Sequence, residues 1–184
     1  MLKAACEAAV QWDNDLKIAV NLSPVQLNDI HLIDAVRDVL AETGLAPRRL
    51  ELEITESTII DDKLRALHIL RQIKALGVTI AIDDFGTGYA SLDTLNSFPF
   101  DKIKIDRSFL MEAERNGQAR AIVRAILALG KSLEIPVLAE GVETEHQMAL
   151  LREEGCDEAQ GFLLGRPVEH IERLAPPMVI KAAG

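Results

Sequence analysis

Asp83-Asp84-Phe85-Gly86-Thr87-Gly88-Tyr89 follows directly on the apolar run Val78-Thr79-Ile80-Ala81-Ile82. The run is short, β-branched and bounded by turn residues, the pattern of a strand buried in a parallel sheet. A buried strand that ends in two acids needs something to compensate them, because an unpaired carboxylate is costly away from water. A divalent cation would do so, since hard cations take carboxylate oxygens. One Asp at this place would read as a helix N-cap or a solvated turn. Two, followed by Phe-Gly-Thr-Gly, read as a site.

Five further segments have the same design. Lys17-Ile18-Ala19-Val20 runs into Asn21, and Leu50-Glu51-Leu52 into Glu53-Ile54-Thr55-Glu56. Lys102-Ile103 runs into Lys104-Ile105-Asp106, and Pro136-Val137-Leu138-Ala139 into Glu140-Gly141. Glu158-Ala159 runs into Gln160-Gly161, ahead of Phe162-Leu163-Leu164. Helical patterns lie between them. Ala66, Ile69, Ile73 and Leu76 predict one apolar helix face, and Ala119, Ile122, Ile126, Leu129 and Leu133 another. Thr144-Glu145-His146-Gln147 is a capping-box signature for a helix start. Gly44, Gly77 and Gly155 fall just past helical runs, where a left-handed cap suits glycine.

Alternating β and α segments with polar groups at the strand C-termini point to an α/β fold of the (β/α) TIM-like barrel type, in which catalytic groups come from several strand ends. A doubly wound sheet is the rival, but it draws its site from a switch point. No GxGxxG or P-loop opens a helix here. The chain has 184 residues, against about 250 for a complete barrel. It opens on a helical stretch, Met1 to Trp12, with no strand before it. The expectation is one incomplete barrel domain over residues 1–184, with about six of the eight strands and the N-terminal part absent. The tail from Ala175-Pro176-Pro177 is expected to leave the barrel.

Composition narrows the function. An apolar content of 48% supports a sizeable core, and 4% aromatics make it aliphatic. A net charge of −9 disfavours long nucleic acid, which needs a basic patch. It leaves room for a small anionic ligand, since bound cations reverse the local sign of a carboxylate site. No apolar run reaches membrane-spanning length, and no signal peptide is expected. Cys6 and Cys156 are too few for a disulfide framework, and a reducing cytoplasm fits.

The strand ends collect Asn21, Glu53, Asp83, Asp84, Lys104, Glu140 and Gln160. Four carboxylates and two carboxamides, with no His or Cys, suit Mg2+ or Mn2+ rather than zinc. His31, His68, His146 and His170 fall in helical stretches and read as surface or packing residues. So many acids on one face cannot all ionise at close range without cations. A two-metal centre, which stabilises both oxygens of an in-line displacement at phosphorus, would meet that demand. Lys104 would add a fixed positive charge.

At this point the chain resembles the EAL domain family of cyclic-di-GMP phosphodiesterases. The motifs are Asn21-Leu22-Ser23-Pro24, Glu53-Ile54-Thr55-Glu56, Asp83 to Tyr89, Lys104-Ile105-Asp106, Glu140-Gly141-Val142-Glu143 and Gln160-Gly161-Phe162, in family order. The resemblance implies metal-dependent hydrolysis of cyclic-di-GMP to pGpG. It implies Asn21, Glu53, Asp83, Asp84 and Glu140 as metal ligands, with Asp83 bridging two ions. Lys104 is similar to the lysine that contacts the attacking water, and Glu140 to a residue also assigned as base. Gln160 and Asp106 would order the site. Glu56 resembles the glutamate that steadies the loop Phe85, Gly86, Thr87, Gly88, Tyr89 and on to Leu92. Ala90 stands where many members have Ser. The Glu-Ala-Leu tract that names the family, with its ligand glutamate, is not in this sequence. That departure implies impaired activity, or an alternative role as an inactive cyclic-di-GMP-binding or protein-interaction module. The expected partners are cyclic-di-GMP, further copies of the chain in a homo-oligomer, and fused sensory or GGDEF domains in a longer parent.

Overall fold

A computed structural model describes residues 1–60, 62–88 and 92–168. Tyr89, Ala90, His170 and the tail from Ala175 lie outside the described residues. Six strands form among the described residues: β1 (Ile18–Asn21), β2 (Leu50–Thr55), β3 (Thr79–Phe85), β4 (Lys102–Ile105), β5 (Val137–Ala139) and β6 (Glu158–Ala159). The helices are α1 (Leu2–Val10), α2 (Pro24–Leu27), α3 (Leu32–Thr43), α4 (Glu56–Ile60), α5 (Lys63–Ala75), α6 (Leu92–Ser97), α7 (Arg107–Ala113), α8 (Gly117–Leu133) and α9 (Glu145–Glu154). The fold class is α/β, as expected. Each expected strand is present; β3 runs past Ile82 to include Asp83, Asp84 and Phe85.

The chain divides into two compact units. The first comprises Met1–Asp83 and Gly88–Asp101, the second Asp84–Thr87 and the residues from Lys102 onward.

In the first unit β1, β2 and β3 pair in parallel, with Asn21 level with Glu53, Glu53 level with Ala81, and Thr55 level with Asp83. One face carries Val20, Leu50, Leu52, Ile54, Ile80 and Ile82, all buried. The period of two sends Ala19, Asn21, Glu51, Glu53, Thr55, Thr79, Ala81 and Asp83 to the other face. Asp101 closes the start of β3: its backbone N–H donates to the Ile80 carbonyl at 2.8 Å, and its carboxylate accepts from the Ile80 N–H at 2.9 Å and pairs with Lys74. On α5 the expected face is buried at Ala66, Ile69 and Ile73, with Leu70 added and Leu76 at the C-cap. Gly44 caps α3 at φ +70°.

In the second unit β4, β5 and β6 are parallel, with Lys104 level with Leu138 and Leu138 level with Glu158. Asp157 repeats the device of Asp101, accepting from the Val137 N–H at 2.9 Å. On α8 the stripe differs from the sequence expectation. Ala119, Val123, Ile126, Leu127 and Gly130 are buried, while Ile122 is 42% exposed. The reason is at Gly130. A Cβ there would lie 2.3 Å from Val137 Cγ2, so the helix presses its glycine line onto β5 and turns Ile122 outward. Glu154 on α9 fastens this layer, accepting from Arg120 Nε at 2.9 Å and from Arg124 Nε and Nη2 at 2.7 and 2.8 Å. Hydrogen bonds from Arg124, then from Arg120, hold its carboxyl at about 2, well below the usual carboxylate range. Thr144 and Gln147 form the expected capping box of α9, and Gly155 caps its other end at φ +74°.

Candidate active site

In the first unit the register brings Asn21, Glu53 and Asp83 to one face at the C-terminal ends of adjacent strands. Asn21 and Glu53 are register partners, and Asp83 is two residues beyond the partner of Glu53. Neighbouring strands lie about 4.8 Å apart, so a single ion can reach donors on more than one strand. The chain leaves β1 through a Ser23–Gln26 capping box with Pro24 in the first turn of α2, while the Leu22 N–H holds the Glu53 carbonyl at 2.8 Å. This fixes the backbone just beyond Asn21. Below the three donors, Lys17 Nζ donates to Thr79 Oγ1 at 3.2 Å and stands 4.0 Å from the buried Glu51 carboxylate. Glu56 opens α4 and is buried. A Cβ at Gly88 would lie 2.5 Å from Glu56 Oε2, so the loop crosses close against this carboxylate, and a larger residue there would push it aside.

In the second unit Lys104 and Glu140 meet at the strand ends, with Nζ 2.7 Å from Oε1. Lys104 is only 5% exposed. Beneath this pair Lys102 and Glu158 form a second ion pair at 2.8 Å. The polar groups therefore occupy two levels of one face, and Ile103, Ile105, Val137 and Ala139 fill the other face as buried core. Glu140 is held by its backbone: its N–H donates to the Ile105 carbonyl at 3.1 Å. Gln160 brackets the Glu140–Gly141 step, donating from its N–H to the Ala139 carbonyl at 2.8 Å and accepting from the Val142 N–H at 2.9 Å. Gly141 makes the turn at φ +69°. Asp106 acts locally. Its carboxylate caps α7, accepting from the Ser108 N–H at 3.0 Å and the Ser108 hydroxyl at 2.5 Å.

Asp84 opens a tight turn in this unit. Its φ is +53°, and its carbonyl accepts from the Thr87 N–H at 3.2 Å and the Thr87 hydroxyl at 2.8 Å. Gly86 sits at φ +97° against the Phe109 ring. The sequence places Phe85, Gly86 and Thr87 in a site loop but does not reveal the Thr87 bond. The short spacing of a hydroxyl residue after an Asp is its only signal. Among the described residues no three His, Cys, Asp or Glu side chains group closely enough to hold a metal ion by themselves.

A family model described as EAL domain matches residues 1–167. The chain belongs to the EAL domain family. It is 60% identical over 167 residues to an uncharacterized signaling protein of Caulobacter vibrioides, covering 91% of this chain and 21% of that protein. It is 46% identical over 179 residues to the bifunctional diguanylate cyclase/cyclic di-GMP phosphodiesterase MucR of Pseudomonas aeruginosa, covering 95% and 26%. This EAL chain thus spans about a fifth to a quarter of the length of these curated relatives. The solved c-di-GMP complex of the MucR phosphodiesterase superposes with a TM-score of 0.87 at 48% identity, over 90% of this chain and 69% of that one. Klebsiella pneumoniae BlrP1, solved as a manganese/cy-diGMP complex, gives 0.83 at 33% identity, over 90% and 42%. The likeness bears out the barrel-type α/β class for this EAL chain.

Proposed function

We propose that this EAL domain hydrolyses one phosphodiester of cyclic-di-GMP to give pGpG, using divalent metal held by Asn21, Glu53, Asp83, Asp84 and Glu140. The observation that carries the reading is the shared face of Asn21, Glu53 and Asp83 at three strand ends. The pairing of buried Lys104 with half-buried Glu140 at the strand ends of the second unit supports it. The donor set fits the metal: it offers oxygen alone, as Mg2+ and Mn2+ prefer. Two ions are the finer form of the proposal, with Asp83 among the residues that would hold them. The relatives support the use of divalent metal and cyclic-di-GMP, since MucR is solved with c-di-GMP and BlrP1 with manganese and c-di-GMP.

When bound, such ions supply the charge that polarises the phosphodiester and activates a water. Glu140, the anionic partner of Lys104, would be the group that accepts a proton from the attacking water. The Lys104 ammonium, set in a water-poor strand end, stabilises negative charge as it develops on the phosphoryl oxygens. Gln160 keeps Glu140 in place through its backbone, Glu56 supports the loop at Gly88, and Asp106 fixes the chain just beyond Lys104.

Fused GGDEF or sensory domains belong to the same proposal, as does a cytoplasmic setting. No helix among the described residues is long and apolar enough to cross a membrane. The test is chromatography of cyclic-di-GMP incubated with the chain and Mn2+ or Mg2+, with a chelator control. Metal-dependent pGpG supports the proposal. No product together with saturable cyclic-di-GMP binding would replace it with the inactive binding module.

A further inference from the structure

Asp83 and Asp84 pose a geometric problem. Successive side chains of a strand point to opposite faces, so two adjacent carboxylates in regular β structure cannot serve one site. The backbone breaks the alternation at the second. Asp84 takes φ +53°, a left-handed conformation that is uncommon for a residue with a Cβ, though Asp adopts it more readily than most, and that the surrounding turn must hold.

Two features impose that constraint. Gly86, at φ +97°, is packed so closely that a Cβ would stand 3.0 and 3.1 Å from the Phe109 ring and 3.4 Å from Ile126 Cδ1. This packing fixes the turn from beneath. From within, Thr87 satisfies the Asp84 carbonyl twice, with its N–H at 3.2 Å and its hydroxyl at 2.8 Å. A carbonyl oxygen has two lone pairs, and this turn uses both. Thr87 is itself exposed, so its hydroxyl has water as an alternative partner. The bond to the Asp84 carbonyl is therefore a choice made by the turn rather than one forced by burial.

We infer that Thr87 is a positioning residue: its hydroxyl holds Asp84 in the left-handed conformation and so sets the direction of the Asp84 carboxylate toward divalent metal. The inference rests on the reading of Asp84 as a metal ligand and adds a residue that touches neither metal nor substrate. Without the hydroxyl the carbonyl loses one of its two partners, and Asp84 relaxes toward ordinary strand backbone, carrying its carboxylate with it.

The test is titration of the 184-residue chain with Mn2+ alone, by calorimetry or by the paramagnetic resonance of the free ion, in wild type, Thr87→Val, Thr87→Ser and Asp84→Asn. Thermal melting is recorded for each. Residues that orient metal ligands typically cost about 10–100-fold in affinity when removed. Thr87→Val, which keeps shape and loses the hydroxyl, is expected to weaken manganese about 10-fold. Thr87→Ser should stay close to wild type, with melting unchanged in both. Equal loss in Thr87→Val and Thr87→Ser would overturn the inference. So would a loss in Asp84→Asn with none in Thr87→Val, which leaves Asp84 a ligand and Thr87 a spectator. Unchanged affinity in Asp84→Asn would overturn the ligand reading and the inference with it.

Discussion

Replacing Gly161 with Ala places a methyl group into backbone. A Cβ at Gly161 would lie 2.2 Å from both the nitrogen and the oxygen of Val142, and 2.7 Å from its carbonyl carbon. Favourable heavy-atom contact begins near about 3.5 Å, so one segment must move by more than about 1 Å. Val142 cannot move freely. Its N–H donates to the Gln160 carbonyl at 2.9 Å, and its carbonyl accepts from the Leu163 N–H at 3.0 Å. Forced overpacking costs about 1–3 kcal/mol, and each strained or lost backbone bond about 1 kcal/mol more. The sum is about 3–5 kcal/mol, which in a chain of this size lowers Tm by roughly 10 °C. Gly165→Ala is the control: nothing lies within 4 Å of its Cβ position and its φ is not positive. The assay is thermal melting followed by circular dichroism, with manganese titration of the same samples. Because Val142 lies two residues beyond Glu140, Gly161→Ala should also weaken the metal. Melting of Gly161→Ala within about 2 °C of wild type would refute the argument, because a clash of this size cannot be absorbed for under about 1 kcal/mol.

Three further outcomes are expected. Glu154, held at about 2 by Arg124 and Arg120, has a depressed carboxyl, so its contribution is complete above the unfolded value near 4.5 and is lost as pH falls toward 2. Glu154→Gln should cost about 1–2 kcal/mol at pH 7, given the partly exposed arginines, and denaturant melts should show that cost shrinking between about pH 4.5 and 2.5. Lys104→Met, which removes the charge 2.7 Å from Glu140, should lower turnover of cyclic-di-GMP by about 100-fold, a loss seen in steady-state rates. The expected homo-oligomer is checked by sedimentation velocity, where a single monomeric boundary at all concentrations would contradict it.

The strand ends were legible because burial and chemistry conflict there. Glu53, Asp83 and Lys104 interrupt apolar runs, and the structure places each at a strand end. The period of two, combined with parallel register, then puts Asn21, Glu53 and Asp83 on one face. What escaped the sequence lies in backbone conformation and close approach. The left-handed turns at Asp84 and Glu134 use residues with a Cβ, which no glycine marks. The buried stripe of α8 is set by how closely Gly130 meets Val137, whereas periodicity alone favoured the larger Ile122. Asp106 reads as a residue that orders the site beside Lys104, and its carboxylate caps the start of α7. A carboxylate at a strand end can serve a site or a cap, and only its hydrogen-bond partners distinguish the two.

The central claim is that Asp83, at the end of β3 and on the face shared with Glu53 and Asn21, holds the metal that hydrolysis requires. The direct test is formation of pGpG from cyclic-di-GMP under saturating Mn2+, compared between wild type and Asp83→Asn, with Mn2+ affinity measured on the same samples. The account predicts product from the wild type, none above background from Asp83→Asn, and a manganese affinity at least about 10-fold weaker in the variant. Equal product and equal affinity in the two would contradict it.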